Sequence, residues 1–211
     1  MVKPAPRRVR ATARTQVRII GGLWKRTPLP VLEAEGLRPT PDRVRETVFN
    51  WIHHLVDGDW ARLACLDLFA GSGALGFEAA SRGAWRVVMV EANAAAVRQL
   101  EAIKEKLDAR QVAIMRGDAF AVVQGGVGAG GGEVGFDLIF LDPPYHQDAM
   151  MRMLPACARL LAPGGLVYAE SEWALNAEPA PGWLADWEVV RADKAGMVYY
   201  HLLRSNKTTS I

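Results

Sequence analysis

An α/β protein with a seven-stranded, mostly parallel sheet is what this sequence predicts, on three observations. Beyond Asp57-Gly58-Asp59, short apolar runs alternate with helical stretches, the pattern of strands joined by crossover helices. The first run passes directly into the glycine-rich turn Gly71-Ser72-Gly73-Ala74-Leu75-Gly76, which opens a helix. The last two runs are separated only by Lys194-Ala195-Gly196-Met197, too short for a crossover, so they form a hairpin with an antiparallel last strand.

The elements follow in chain order. Lys3, Arg7, Arg8, Arg10 and Arg14 lie among Pro and Ala with no apolar period, which predicts a segment disordered until it meets a partner. Residues 18–26 read as a short strand or ribbon with a glycine turn and basic ends. Thr40-Pro41-Asp42 is a helix start, with Thr40 as cap, Pro41 in the first helical position and Asp42 complementing the dipole. Val44, Val48, Trp51, Ile52 and Leu55 then recur at helical spacing on one face. Strands are predicted over 64–68, 86–90, 112–115, 137–141, 166–169, 187–191 and 198–203. Helices are predicted over 74–82, 94–107, 119–123 and 149–161, the last ending before a Pro163-Gly164-Gly165 turn. Residues 125–135 hold seven glycines in eleven positions, a surface connection with nothing to fix its amides.

Composition narrows the functional classes. Cys65 and Cys157 lie 92 residues apart with no ligand-spaced partner, so neither a zinc framework nor a disulfide scaffold is expected, and no metal is called for. No run of 18 apolar residues and no secretory signal is present, which points to a soluble protein of a reducing cytoplasm. The net charge of +2 conceals an asymmetry: residues 1–46 carry +7 and residues 47–211 carry −5. A basic arm on an acidic globule suits a polyanion approached from one side, because clustered cations release counterions from phosphates. A solvated tail and an organellar transit peptide are the other readings of that arm.

The chemistry concentrates at two places. Gly71-x-Gly73-x-x-Gly76 matches a nucleotide-binding turn, and Glu91, ending the second strand 15 residues later, can accept both hydroxyls of a ribose. Asp67, four residues ahead of Gly71, would repel a pyrophosphate and suit a cation. S-adenosylmethionine has an ammonium, a sulfonium and no phosphate, and so fits better than a dinucleotide. The second place is Asp142-Pro143-Pro144-Tyr145, just past the apolar strand 138–141. Parallel strands present ligands at their carboxyl ends, so this corner and the glycine turn are expected to share a crevice. Asp142 and the Pro143 carbonyl offer two fixed acceptors and Tyr145 a stacking face, a set that grips a planar amine. Asp118 either accepts from an adenine amino group or caps the next helix. Phe69, Ser72, Ala92 and Ala119 flank these residues and are assigned to the same cofactor cleft. Cys65 and Cys157 fall inside a strand and a helix, where no nucleophile is useful, so both read as core thiols.

Four stretches in this order resemble the RsmD family, bacterial methyltransferases of small-subunit ribosomal RNA. They are Arg18-Ile-Ile-Gly-Gly, the run from Leu37-Arg38-Pro39-Thr40 to Glu46, the run from Asp67 to Gly76, and Asp142-Pro-Pro-Tyr145. The resemblance spans about Arg18 to Leu203; its last two motifs are shared by many amino-methyltransferases and its first two are family-specific. It implies a Rossmann-like class I methyltransferase fold and transfer from S-adenosylmethionine to the exocyclic N2 amine of a guanine in 16S rRNA. The substrate would be that RNA or a small-subunit assembly intermediate, and the enzyme a monomer. Gly71, Gly73 and Glu91 would hold the cofactor, and residues 142–145 the flipped base, with Asp142, Pro143 and Tyr145 catalytic. Arg18, Arg26, Arg38, Thr40 and Arg43 are assigned to the RNA. Lys25-Arg26-Thr27 and the glycine run depart from the family's pattern.

The expected organisation is a basic RNA-contacting arm over 1–28, a methyltransferase domain over 29–204 and a tail over 205–211. Three rival functions remain open on the residues alone: an adenine or protein-glutamine amino-methyltransferase, a dehydrogenase, and a non-catalytic assembly factor.

Overall fold

A computed structural model of the chain describes residues 16–31, 40–125, 135–144, 149–177 and 179–206. Residues 1–15, Arg38, Tyr145 and most of the glycine run therefore lie outside the described residues.

The central sheet has seven strands: β3 (Ala64–Asp67), β4 (Arg86–Glu91), β5 (Val112–Arg116), β6 (Phe136–Leu141), β7 (Leu161–Ser171), β8 (Trp187–Ala195) and β9 (Val198–Ser205). Their spatial order is β5-β4-β3-β6-β7-β9-β8. β9 pairs antiparallel with both β7 and β8, so it alone runs against the rest. Chain order reverses between β3 and β6, which are parallel neighbours, and a crevice forms at the carboxyl ends of strands at such a switch point.

Helices cover both faces. On one, α1 (Asp42–Leu55), α2 (Ala74–Arg82) and α3 (Ala94–Leu107) bury Val44, Phe49, Phe77 and Leu100 against Phe140 and Tyr168. On the other, α4 (Ala119–Gly125) and α5 (Ala149–Cys157) bury Val123, Met153 and Leu154 against Ile139 and Val167. Strands buried on both faces read as continuous apolar runs, which is why β4 and β6 stand out in the sequence.

Ahead of α1, β1 (Gln16–Arg18) and β2 (Pro28–Pro30) form a separate antiparallel ribbon. It is clamped to α2 by polar contacts. Buried Glu78 accepts the amides of Ile20 and Gly21 and the Arg82 Nε at 2.8 Å, while Ser81 Oγ accepts the Trp24 amide at 2.9 Å. Arg45, fully buried, donates to the Arg18 carbonyl at 2.8 Å and to Asp42 at 2.6 Å. The boundary expected at 28/29 thus falls inside a ribbon that is integral to the folded body.

Three local expectations are corrected. Thr40 does not cap α1: Pro41 holds the cap position without a side-chain bond, and the Thr40 hydroxyl donates to Glu170 instead. α5 ends at Cys157, four residues early, where i→i−3 turn bonds from the Arg159 and Leu160 amides to the Ala156 and Cys157 carbonyls lead the chain into β7 at Leu161. Pro163-Gly164-Gly165 is no turn ahead of the strand but part of β7, which begins at Leu161 and shifts register between Phe136 and Leu138 of its partner. Gly164 takes φ +75 there, and a Cβ on Gly165 would lie 2.9 Å from the Phe136 carbonyl oxygen.

Of the predicted α1 face, Val44, Val48 and Ile52 are buried, while Trp51 and Leu55 pack at its margin. Trp51 stacks on Tyr200 with ring centroids 5.5 Å apart.

Candidate active site

The glycine turn leaves β3 and is tied down on both sides. The Ala70 amide donates to the Val90 carbonyl of β4 at 3.0 Å, and the Gly73 amide to the Ala70 carbonyl at 2.6 Å. Gly71 and Gly73 take φ of 51 and 79, the left-handed region that favours glycine. A Cβ on Gly76 would meet Met89 Cε at 2.4 Å, so the third glycine lets α2 approach the sheet. Above Gly71 the nearest atom to a Cβ is 3.9 Å away, which leaves its outer surface open for close approach by a ligand.

Asp67 and Glu91 hold this turn from below and from the side. Asp67 is 2% exposed and accepts the Gly76 amide at 3.0 Å. Burial pushes its carboxyl up to about 7, against the pull of the Gly76 and Phe69 amides. It therefore braces the turn from within. Glu91, half-buried, uses both carboxylate oxygens on backbone: Oε2 accepts the Gly71 amide at 2.9 Å and Oε1 the Asn93 amide at 2.7 Å. Asn93 in turn caps α3. Ala92 is exposed between them, and Ser72 is half-buried.

Asp118 caps α4, accepting from the Phe120 and Ala121 amides at 2.7 and 3.2 Å. Ala119 behind it is buried. Phe69 meets Phe120 edge-to-face at 6.4 Å, which joins the glycine turn to the start of α4.

Asp142 follows β6 directly, with Pro143 buried and Pro144 exposed. Leu68 donates its amide to the Phe140 carbonyl at 3.1 Å, so the turn after β3 and the corner after β6 leave adjacent strands at one edge. The side chain of Asp142 keeps a partial opening. Its carboxyl is nonetheless held well above the usual carboxylate range by burial and by the charges of Glu170 and Asp67, with a hydrogen bond from Thr40 opposing.

Sequence reasoning missed Glu170. It lies in the buried part of β7, one residue past Ala169, which pairs with Leu141, so it stands level with Asp142. It accepts the Thr40 and Tyr168 hydroxyls, each at 2.6 Å. The available signal was an acid closing an apolar strand, as at Asp67, Glu91 and Asp142.

The residues assigned to RNA are only partly gathered. Arg18 is exposed and pairs with Asp42 at 2.8 Å, next to exposed Arg43 at the start of α1. Arg26 is exposed in the ribbon turn with φ 70. Thr40 is buried against Glu170, inside the crevice wall. Burial raises both thiols, that of Cys157 to about 12, as suits core cysteines. Among the described residues no group of three side chains suits a metal, and no helix is long and apolar enough to cross a membrane.

A seven-stranded sheet with one reversed strand, a glycine turn after its first strand and Asp-Pro-Pro after the fourth defines a class I methyltransferase fold. The chain belongs to the family described as Conserved hypothetical protein 95, the RsmD family, whose pattern matches residues 17–204. It is 35% identical over 199 residues to Ribosomal RNA small subunit methyltransferase D of Haemophilus influenzae, covering 92% of this chain and 96% of that one. The protein of the same name from Escherichia coli K12 is 36% identical over 190 residues, with 89% of each chain covered. Among solved structures, a putative methyltransferase from Escherichia coli superposes with a TM-score of 0.74 at 32% identity, covering 90% of this chain and 98% of that one.

Proposed function

We propose that this protein transfers a methyl group from S-adenosylmethionine to the exocyclic N2 amine of a guanine in 16S rRNA. One observation carries the reading: a crevice at the switch point brings an open glycine turn beside the carboxylates Asp67, Glu91, Asp142 and Glu170. Glu91 already takes the Gly71 amide and the Ala70 carbonyl the Gly73 amide, which leaves the turn fewer amides for a pyrophosphate, so a dehydrogenase is disfavoured. The residues fit the donor: Gly71 leaves room for it, Glu91 retains lone pairs for ribose hydroxyls, and Phe69, Ser72, Ala92, Asp118 and Ala119 lie around the same strand ends.

The donor supplies an electrophilic methyl on a sulfonium whose leaving group is a neutral thioether. The chain's residues supply position and polarity. A guanine amine is a weak nucleophile because its lone pair is delocalised into the ring. Asp142 and the Pro143 carbonyl, accepting its two N–H bonds, turn that lone pair toward the methyl as the transition state forms. In-line positioning of this kind is worth up to roughly 7–11 kcal/mol in favourable cases. Tyr145 supplies the stacking face for the base. A base in a stem reaches the crevice only by extrusion, at a cost of a few kcal/mol offset by stacking and edge hydrogen bonds.

Arg18, Arg26, Arg38 and Arg43, with the basic arm, hold the phosphates around the extruded base. Thr40, buried and bonded to Glu170, is read as part of the crevice wall instead of a phosphate contact. The enzyme works as a monomer in the cytoplasm, on 16S rRNA or on a small-subunit assembly intermediate. Mapping methyl marks in 16S rRNA from cells lacking the gene tests this: one guanine N2 mark disappears and returns with the wild-type gene. Loss of an adenine mark, or of a protein-glutamine mark, would reassign the acceptor.

A further inference from the structure

We propose that Glu170 is the final proton acceptor of the methyl transfer, connected to Asp142 through the hydroxyl of Thr40. The inference rests on reading the crevice as an amine-methyltransferase site. Its geometry comes from register and hydrogen bonds. Asp142 and Glu170 each stand one residue past the paired Leu141 and Ala169 of parallel neighbours, and such strands lie about 4.8 Å apart. Beside them lies Thr40, buried, donating to Glu170 Oε1 at 2.6 Å, and its hydroxyl opposes the rise of the Asp142 carboxyl. Tyr168 donates to the same Glu170 oxygen at 2.6 Å and fixes it in place.

The amine nitrogen forms its bond to the methyl carbon while the carbon–sulfur bond breaks, its electron pair staying on sulfur. The nitrogen is now cationic and gives one N–H proton to the Asp142 carboxylate. Asp142 passes a proton to Thr40 Oγ1 as Thr40 releases its own to Glu170 Oε1. The products are a neutral methylated amine, a neutral thioether and a protonated Glu170, which returns its proton to solvent as product leaves.

The groups facing Glu170 are Thr40 ahead of α1, Asp142 after β6, Tyr168 on its own strand and Tyr200 opposite it on β9; Asp67 faces Asp142 from β3. Arg43 and Asp193 act on Tyr200 from beyond. Both carboxyls are held high by burial, and the Glu170 charge raises Asp142 further. Removing that charge lowers Asp142.

Three variants and the wild type decide the matter by single-turnover methylation of small-subunit RNA across the acid and neutral range. Glu170→Gln and Thr40→Val slow the transfer by about 100-fold. RNA and donor affinities stay within about threefold of wild type, and Thr40→Ser restores the rate. In Glu170→Gln the acid limb of the pH profile moves to lower pH. A Glu170→Gln rate and limb equal to wild type overturns the proposal, as does a Thr40→Ser rate as slow as that of Thr40→Val. Carboxyl NMR of the protein alone separates this failure from that of the RNA reading. Asp142 and Glu170 titrate as a pair in wild type and separately in Thr40→Val. A wild type that methylates no RNA but keeps that pairing overturns the acceptor and supports the pairing. Carboxyls that titrate independently in wild type overturn the inference for any acceptor.

Discussion

The backbone amide of Gly71 donates to Glu91 Oε2 at 2.9 Å, so the glycine turn and the acid that we propose for the donor's ribose are one unit. Through its other oxygen Glu91 also holds Asn93, and through Asn93 the start of α3. One carboxylate therefore ties together the glycine turn, the end of β4 and the start of α3.

Glu91→Ala should raise the dissociation constant for S-adenosylmethionine by about 10- to 100-fold, because hydrogen bonds to a charged group contribute roughly 1.5–3 kcal/mol each. Glu91→Gln should fall between, since its amide oxygen can still accept from Gly71. Calorimetric titration of the three proteins checks the order. Equal affinities would remove Glu91 from the cofactor site.

Asp142→Ala should abolish methyl transfer while RNA affinity stays within about tenfold, because the role proposed for the carboxylate is to orient the amine and not to hold a phosphate. Single-turnover rates and filter binding on the same RNA separate the two quantities. A variant that binds RNA poorly and transfers normally once saturated would place Asp142 in recognition instead.

The fold was legible because its strands are buried on both faces and its helices carry clear ends. The predicted helices over 74–82 and 94–107 match α2 and α3 to the residue, the first ended by Gly83 at φ 113 and the second started by Asn93. The ribbon strand β2 was not legible: Pro28-Leu29-Pro30 reads as a break, and it pairs only as an edge, where prolines are tolerated. Arg45 and Glu78 were equally hidden, since a fully buried ion network looks in sequence like two solvated charges. Glu170 escaped for a related reason. Its role depends on Thr40, 130 residues away, and no local pattern carries that pairing.

Replacing Arg7, Arg8, Arg10 and Arg14 by neutral residues should weaken RNA binding and reduce the slope of log affinity against log salt, because fewer counterions are then released. S-adenosylmethionine affinity, measured without RNA, should not change. Binding isotherms at several salt concentrations check both, and an unaltered slope would take the arm out of the interface.

Asp67→Asn should change how stability depends on pH in the donor-free protein. In the unfolded chain this carboxyl loses its proton near 3.8, but in the fold burial delays the loss to about 7. Between those values the folded state holds a proton that the unfolded state lacks, so Asp67 makes stability fall as pH rises from about 4 to about 7 and then level off. At roughly 1.4 kcal/mol per pH unit the full effect is about 4 kcal/mol. His201 acts oppositely: burial lowers it from 6.5 to about 4, so its contribution grows as pH rises through that window. The wild type therefore shows two partly cancelling slopes. Asp67→Asn keeps an acceptor for the Gly76 amide and removes only the falling slope. Urea denaturation at a series of pH values should show the variant gaining on wild type steadily from about pH 4 to about pH 7. A constant difference across that range would mean that Asp67 is already ionised beneath the glycine turn.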